Sequence, residues 1–190
     1  MLVQLFTTIE RIAIALSLGG ILGKIMHWPG ASMLLTMGLA TLGMVYFYEG
    51  FMYAKLYPQT SETAPSKTRN LMAITVNIGS AIVSLAMLFK LQFWHGADGM
   101  LPVALLALAI GAMLSFKNKE ANGSRKLMMR SAIFGVLASV FMMLSFKDVA
   151  VFYYGDKDQM LIEKIIKVAE NPTNQEYKKE LEEYKRSKSL

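Results

Sequence analysis

Two lysines in apolar surroundings, Lys24 and Lys90, each open the pattern Lys-x-x-x-Trp-x-Gly-Ala. Lys24, Trp28, Gly30 and Ala31 recur as Lys90, Trp94, Gly96 and Ala97 at a constant offset of 66 residues. An ammonium in such a place has two uses. As an anchor, the lysine lays its stem along apolar surface and sets its charge at headgroup level, where Trp28 and Trp94 also favour sitting. Pro29, Gly30 and Gly96 then close a short turn. As a site, Lys24 and His27 are three residues apart on one helix face, so together they can bind an anionic headgroup or a partner carboxylate, or relay protons. The second turn carries His95 and Asp98, and Asp98 is the nearest counter-charge for either lysine. Both uses remain open on the sequence.

Glu49 is the other charge embedded in an apolar run. Folding the chain back at Pro29 brings Glu49 level with Glu10 and Arg11, so an Arg11–Glu49 ion pair of structural character is expected, and a Lys24–Glu49 pair is not. Disulfides and thiolate metal sites are excluded because the chain has no cysteine, and two histidines without an acidic cluster do not make a zinc or di-metal site. No phosphate-binding Gly-Lys-Ser/Thr loop, His-Glu-x-x-His or Gly-x-Ser-x-Gly elbow is present, so neither an enzyme nor a cofactor is expected. The fifteen methionines are scattered over all the apolar segments and read as adaptable packing rather than metal ligands.

The elements that position these residues follow from where charge is missing. Ile12 to Gly23, Ala31 to Tyr48, Leu71 to Phe89, Met100 to Phe116 and Ser131 to Phe146 hold no charged residue. A helix crosses a bilayer with about 20 mostly apolar residues, and somewhat fewer suffice when flanking long side chains reach the interface. A soluble bundle would show a polar stripe on each helix, which these runs lack. The expected fold is therefore all-α and membrane-embedded: a first transmembrane hairpin (1–54), a basic loop (55–70), a second hairpin (71–116), a basic loop (117–126), a fifth membrane helix (127–155) and an amphipathic helical tail (156–190). The N-terminal segment has no basic cluster before it and no small-residue cleavage site, so it is expected to stay as the first helix.

Charge placement sets the orientation. The connections at His27 to Ala31 and His95 to Gly99 have no Lys or Arg, whereas the two longer loops are basic, which puts the N-terminus and both long loops in the cytoplasm. From Asp156 onward basic and acidic residues balance, so the net charge of +6 belongs to the membrane segments. It reports topology and contact with anionic lipid, not nucleic acid. Each repeated unit has two spans, which makes the hairpins parallel repeats about an axis along the membrane normal. Leu144 to Lys147 resembles Met87 to Lys90 as a partial third copy. In the tail, Leu161, Ile162, Ile165, Ile166 and Ala169 form one stripe. Asn171 and Pro172 end that helix, and Thr173 to Glu176 has capping-box spacing for a second. Gly19, Gly20, Gly23, Gly38, Gly43, Gly79, Ser80 and Ser84 permit close helix contact in lipid.

Gly-Gly-Ile-Leu-Gly-Lys-Ile-Met-His (Gly19 to His27), a glycine-containing turn and Met-Leu-Leu-Thr-Met-Gly-Leu (Met33 to Leu39) resemble the transmembrane region of the GldL family over residues 12–50, with an echo at 78–116. The resemblance implies a membrane subunit of the gliding-motility and type IX secretion motor of Bacteroidota, assembled as a ring around a partner helix, with Lys24 and His27 matching the family's helix-one lysine and histidine. It also implies a mid-membrane glutamate near Leu42, and no acid occurs there. The expected function is a non-enzymatic structural or assembly component of an envelope complex in the bacterial inner membrane, contacting lipid and a membrane-protein partner or further copies of itself. The alternative is a small transporter or ion channel with a polar path near Lys24, His27, Lys90 and Asp98.

Overall fold

The computed structural model describes residues 2–58, 66–118, 123–155 and 158–187. Among them are eight helices: α1 (Leu2–Ile25), α2 (Ala31–Leu56), α3 (Ser66–Leu91), α4 (Ala97–Lys117), α5 (Ser124–Met143), α6 (Phe146–Tyr154), α7 (Gln159–Glu170) and α8 (Gln175–Ser187). The first five are long and apolar enough to cross a membrane. The protein is all-α, as its charge-free runs require.

Helix α3 is the central staff, with α2, α4 and α5 packed on it. Three of its buried polar residues bond within the helix. Asn77, Ser80 and Ser84 donate to the carbonyls of Ala73, Val76 and Ser80 at 2.9, 2.9 and 3.0 Å. Such bonds to the preceding turn satisfy a polar side chain inside an apolar bundle. Close approach is made by glycine. A Cβ on Gly20 would lie 2.5 Å from the Leu35 nitrogen, and one on Gly38 would lie 2.5 Å from the Ser17 nitrogen. Thus α1 and α2 meet backbone to backbone, as small residues allow in lipid.

Both hairpin turns close with one hydrogen-bond pattern. Trp28 and His27 donate to the Gly23 and Lys24 carbonyls at 2.8 and 3.2 Å, and Trp94 and Phe93 donate to those of Phe89 and Lys90 at 2.7 and 3.2 Å. This is the paired bonding of a Schellman helix end, with its left-handed residue at His27 and Phe93, each at φ 59°. Gly30 and Gly96, at φ 87° and 108°, then turn the chain into the next helix.

Three expectations about the C-terminal third are corrected. The membrane helix drawn over 127–155 is two helices, α5 and α6. Leu144 is extended, and Ser145 starts a new helix with a reciprocal cap: its hydroxyl accepts from the Asp148 nitrogen while the Asp148 carboxylate accepts from the Ser145 nitrogen. The stretch Leu144 to Lys147, read as a partial third copy of Met87 to Lys90, is a helix start, whereas Met87 to Lys90 lies at the end of α3. In the tail, Asn174 rather than Thr173 caps α8, accepting from the Glu176 nitrogen at 2.9 Å. Helix α6 lies across the ends of α1 and α3, α7 packs on α6 and α8 on α7, so the tail gathers at the turn end of the bundle.

Candidate functional site

Among the described residues of the five long helices, ion pairs form two clusters, one at each end of the bundle. At the turn end, the two quasi-equivalent lysines take different partners. Lys24 donates to the Leu91 carbonyl at 3.0 Å and to the Gln92 side-chain oxygen at 2.7 Å. Its ammonium also faces the rings of Tyr153 and Phe93 at 5.1 and 5.8 Å. A cation at the C-terminal end of α3 complements the helix dipole and occupies one of its free carbonyls. Gln92 continues the link, donating to the Ser32 carbonyl and the Thr36 hydroxyl at 2.8 and 2.9 Å. Lys24 therefore fastens the first hairpin to the second.

Lys90 is 2% exposed and bonds Asp98 at 2.6 Å, within its own hairpin, with the Phe146 ring 5.9 Å from its ammonium. Asp98 answers Lys90 and not Lys24. The Lys24 and His27 side chains, expected to act as one pair, part company. His27 has left the helix, its Nδ1 lies 3.0 Å from the Ile25 carbonyl oxygen, and its ring stacks edge-on to Tyr154 at 5.7 Å. Trp28, Trp94 and His95 are exposed beside Gly30 and Gly96. Burial raises the phenol pKa of Tyr153 and Tyr154, so α6 presents neutral rings to Lys24 and His27.

The opposite cluster lies where the basic loops are. Arg130 of α5 donates to Glu49 of α2 at 2.7 Å and to Glu10 of α1 at 3.1 Å, and also to Asn77 of α3. Lys126, one turn earlier on α5, donates to Glu49 at 2.9 Å and to the Tyr57 hydroxyl at 2.7 Å. Tyr46 donates to Glu10 at 2.9 Å, and its ring lies 4.4 Å below the Arg130 guanidinium. The expected Arg11–Glu49 pair is corrected: Glu49 takes Arg130 and Lys126, while the Arg11 side chain is exposed on the outer face of α1. The reason is burial. Glu49 points into the bundle, so only a cation carried in by a packed helix can reach it.

Sequence reasoning missed this cluster because it assigned Lys126 and Arg130 to topology. Their spacing of four on one helix face, opposite two acids at the same depth, was the available signal. The cluster can hold helices together by charge. Its carboxylates are already engaged, and among the described residues no three His, Cys, Asp or Glu side chains converge to hold a metal. Leu42, where the resemblance would place an acid, is a buried core residue.

Five helices of spanning length, apolar on their outer faces and joined inside by paired charges, define an all-α membrane protein. Residues 13–69 match the family model described as the GldL N-terminal domain, and the chain is similar to that family over this stretch, which covers the second half of α1, all of α2 and the first residues of α3. No curated protein and no solved structure matches the chain.

Proposed function

We propose that this protein is a non-enzymatic structural or assembly component of an envelope complex in the bacterial inner membrane, of the gliding-motility and type IX secretion class. The observation that carries the reading is the state of its acids. Glu10, Glu49 and Asp98, in α1, α2 and α4, are each within 3.1 Å of a cation of the same chain. A carboxylate held so closely by a guanidinium or ammonium is a fixed strut, whereas a proton carrier must change its charge in each cycle. Between the clusters α1 is uncharged from Ile12 to Gly23, about 18 Å at 1.5 Å per residue. The basic loops favour a cytoplasmic N-terminus, and five crossings then put α6 to α8 on the outer side.

Mild solubilisation of the tagged full chain is expected to recover a membrane-protein partner in fixed ratio, and reconstituted vesicles are expected to hold a proton gradient. Recovery of a lone oligomer that dissipates the gradient would overturn the proposal in favour of a channel. Replacing both Lys24 and Lys90 by Leu is expected to weaken assembly with that partner, since these residues fix the outer end of both hairpins.

A further inference from the structure

Helices α1 and α5 do not pack on each other; at one end the Arg130–Glu10 bridge spans the gap at 3.1 Å. Between them runs a groove of about 800 Å³, floored by Leu39, Leu42 and Tyr46 of α2 and by Met87 of α3. Its walls are apolar for most of their length. Its mouth is not: Arg125, Lys126 and Arg130 lie there with Glu10. With Glu49 included, three basic groups stand against two carboxylates, and Arg125 is exposed.

The other end of the groove lies toward the turn end of the bundle. Ile21 and Phe141 line it there, and both pack against the cluster that contains Val149 and Tyr153 of α6. Along α5 the groove runs from Arg125 to Phe141, about 24 Å at 1.5 Å per residue. That is most of the length of α5, so acyl chains can lie along the groove through the apolar part of the span.

We propose that this groove holds an anionic glycerophospholipid of the leaflet on the basic-loop side. Its acyl chains lie between α1 and α5, and its phosphate sits at Arg125 and Lys126. Apolar walls along the groove and surplus positive charge at its mouth together match that occupant. The inference requires only that the chain is embedded in a bilayer, so it stands or falls apart from the complex proposed above.

The test uses the full chain purified in mild detergent and analysed by native mass spectrometry. Wild type is expected to retain phosphatidylglycerol in preference to phosphatidylcholine, and added phosphatidylglycerol is expected to raise the melting temperature where inorganic phosphate does not. Arg125→Gln removes an exposed charge, and retention is expected to fall about fivefold, the factor set by one surface charge against anionic lipid. Leu18→Trp fills the groove from α1 and is expected to abolish retention. If that variant misfolds, the Arg125→Gln comparison and the wild-type lipid titration still decide. Equal retention of the two lipids, an unchanged Arg125→Gln variant, or a co-purified partner helix cross-linking to Leu18 or Ile133 would overturn the proposal.

Discussion

Arg130→Met is expected to be the costliest substitution in the basic-end cluster. The wild-type guanidinium is 5% exposed and serves Glu49, which is 2% exposed, and Glu10, which is 19% exposed. Removing one partner of a buried pair costs about 3–5 kcal/mol, because the other charge stays buried without compensation. Glu49 keeps Lys126 and the Tyr57 hydroxyl, and Glu10 keeps Tyr46, which places Arg130→Met at the lower end, about 3 kcal/mol. Glu49→Leu should cost about 2 kcal/mol, since Arg130 retains Glu10 while Lys126 loses its acid. The double variant removes both charges and should fall about 2 kcal/mol short of the summed single costs. Reversible unfolding by sodium dodecyl sulfate in mixed micelles, followed by far-ultraviolet circular dichroism, measures all four proteins. An Arg130→Met protein within about 0.5 kcal/mol of wild type, or strict additivity in the cycle, would refute the reasoning.

Gly38→Ala should cost about 1–3 kcal/mol in the same assay, because the new Cβ meets the Ser17 nitrogen at 2.5 Å and the Ala13 carbonyl oxygen at 2.9 Å and must push α1 away. Gly19→Ala, with nothing within 4 Å of its Cβ, should be neutral or stabilise by up to about 1 kcal/mol. Lys24→Met should cost about 1–2 kcal/mol and speed hydrogen exchange at the end of α3, whereas Lys90→Met should cost less than about 1 kcal/mol because its partner Asp98 is 68% exposed. The hydrogen bonds from the Ser145 hydroxyl and backbone hold the Asp148 carboxyl below the usual aspartate range. Its contribution to α6 is therefore present above the unfolded pKa and fades as pH falls through the lower folded one; exchange at the first turn of α6 should rise in acid, and Asp148→Asn should abolish that pH dependence.

The spanning helices were legible because hydrocarbon tolerates so little charge that runs such as Ala31 to Tyr48 mark themselves. The turns were legible for a similar reason: Trp, Gly and a lysine one turn earlier have few places to go at an interface. What escaped the sequence was pairing across helices. Folding a hairpin about Pro29 sets depth correctly and put Glu49, Glu10 and Arg11 on one level, but depth does not say which face of a helix turns inward. Arg11 faces out, and the inward cation comes from α5, far away in the chain. The break at Leu144 was hidden for a different reason. A single Ser–Asp cap ends one helix and begins another without any change in hydropathy.

The position of Arg130 bears on how the matched hairpin relates to the rest of the chain. Residues 13–69 include Glu49 but neither Lys126 nor Arg130. A hairpin ending there would bury the Glu49 carboxylate at the lipid boundary with no cation from α5, and a buried unpaired charge is far too costly to persist in that state. It would have to protonate, expose itself, or find a cation on a neighbouring subunit. In this protein α5 supplies the cation within the chain, and through Arg130 it ties α1, α2 and α3 together at one end. The other end is tied by Lys24 and covered by α6. Held by Arg130 and Lys126 of its own chain, Glu49 needs no cation from a neighbouring subunit.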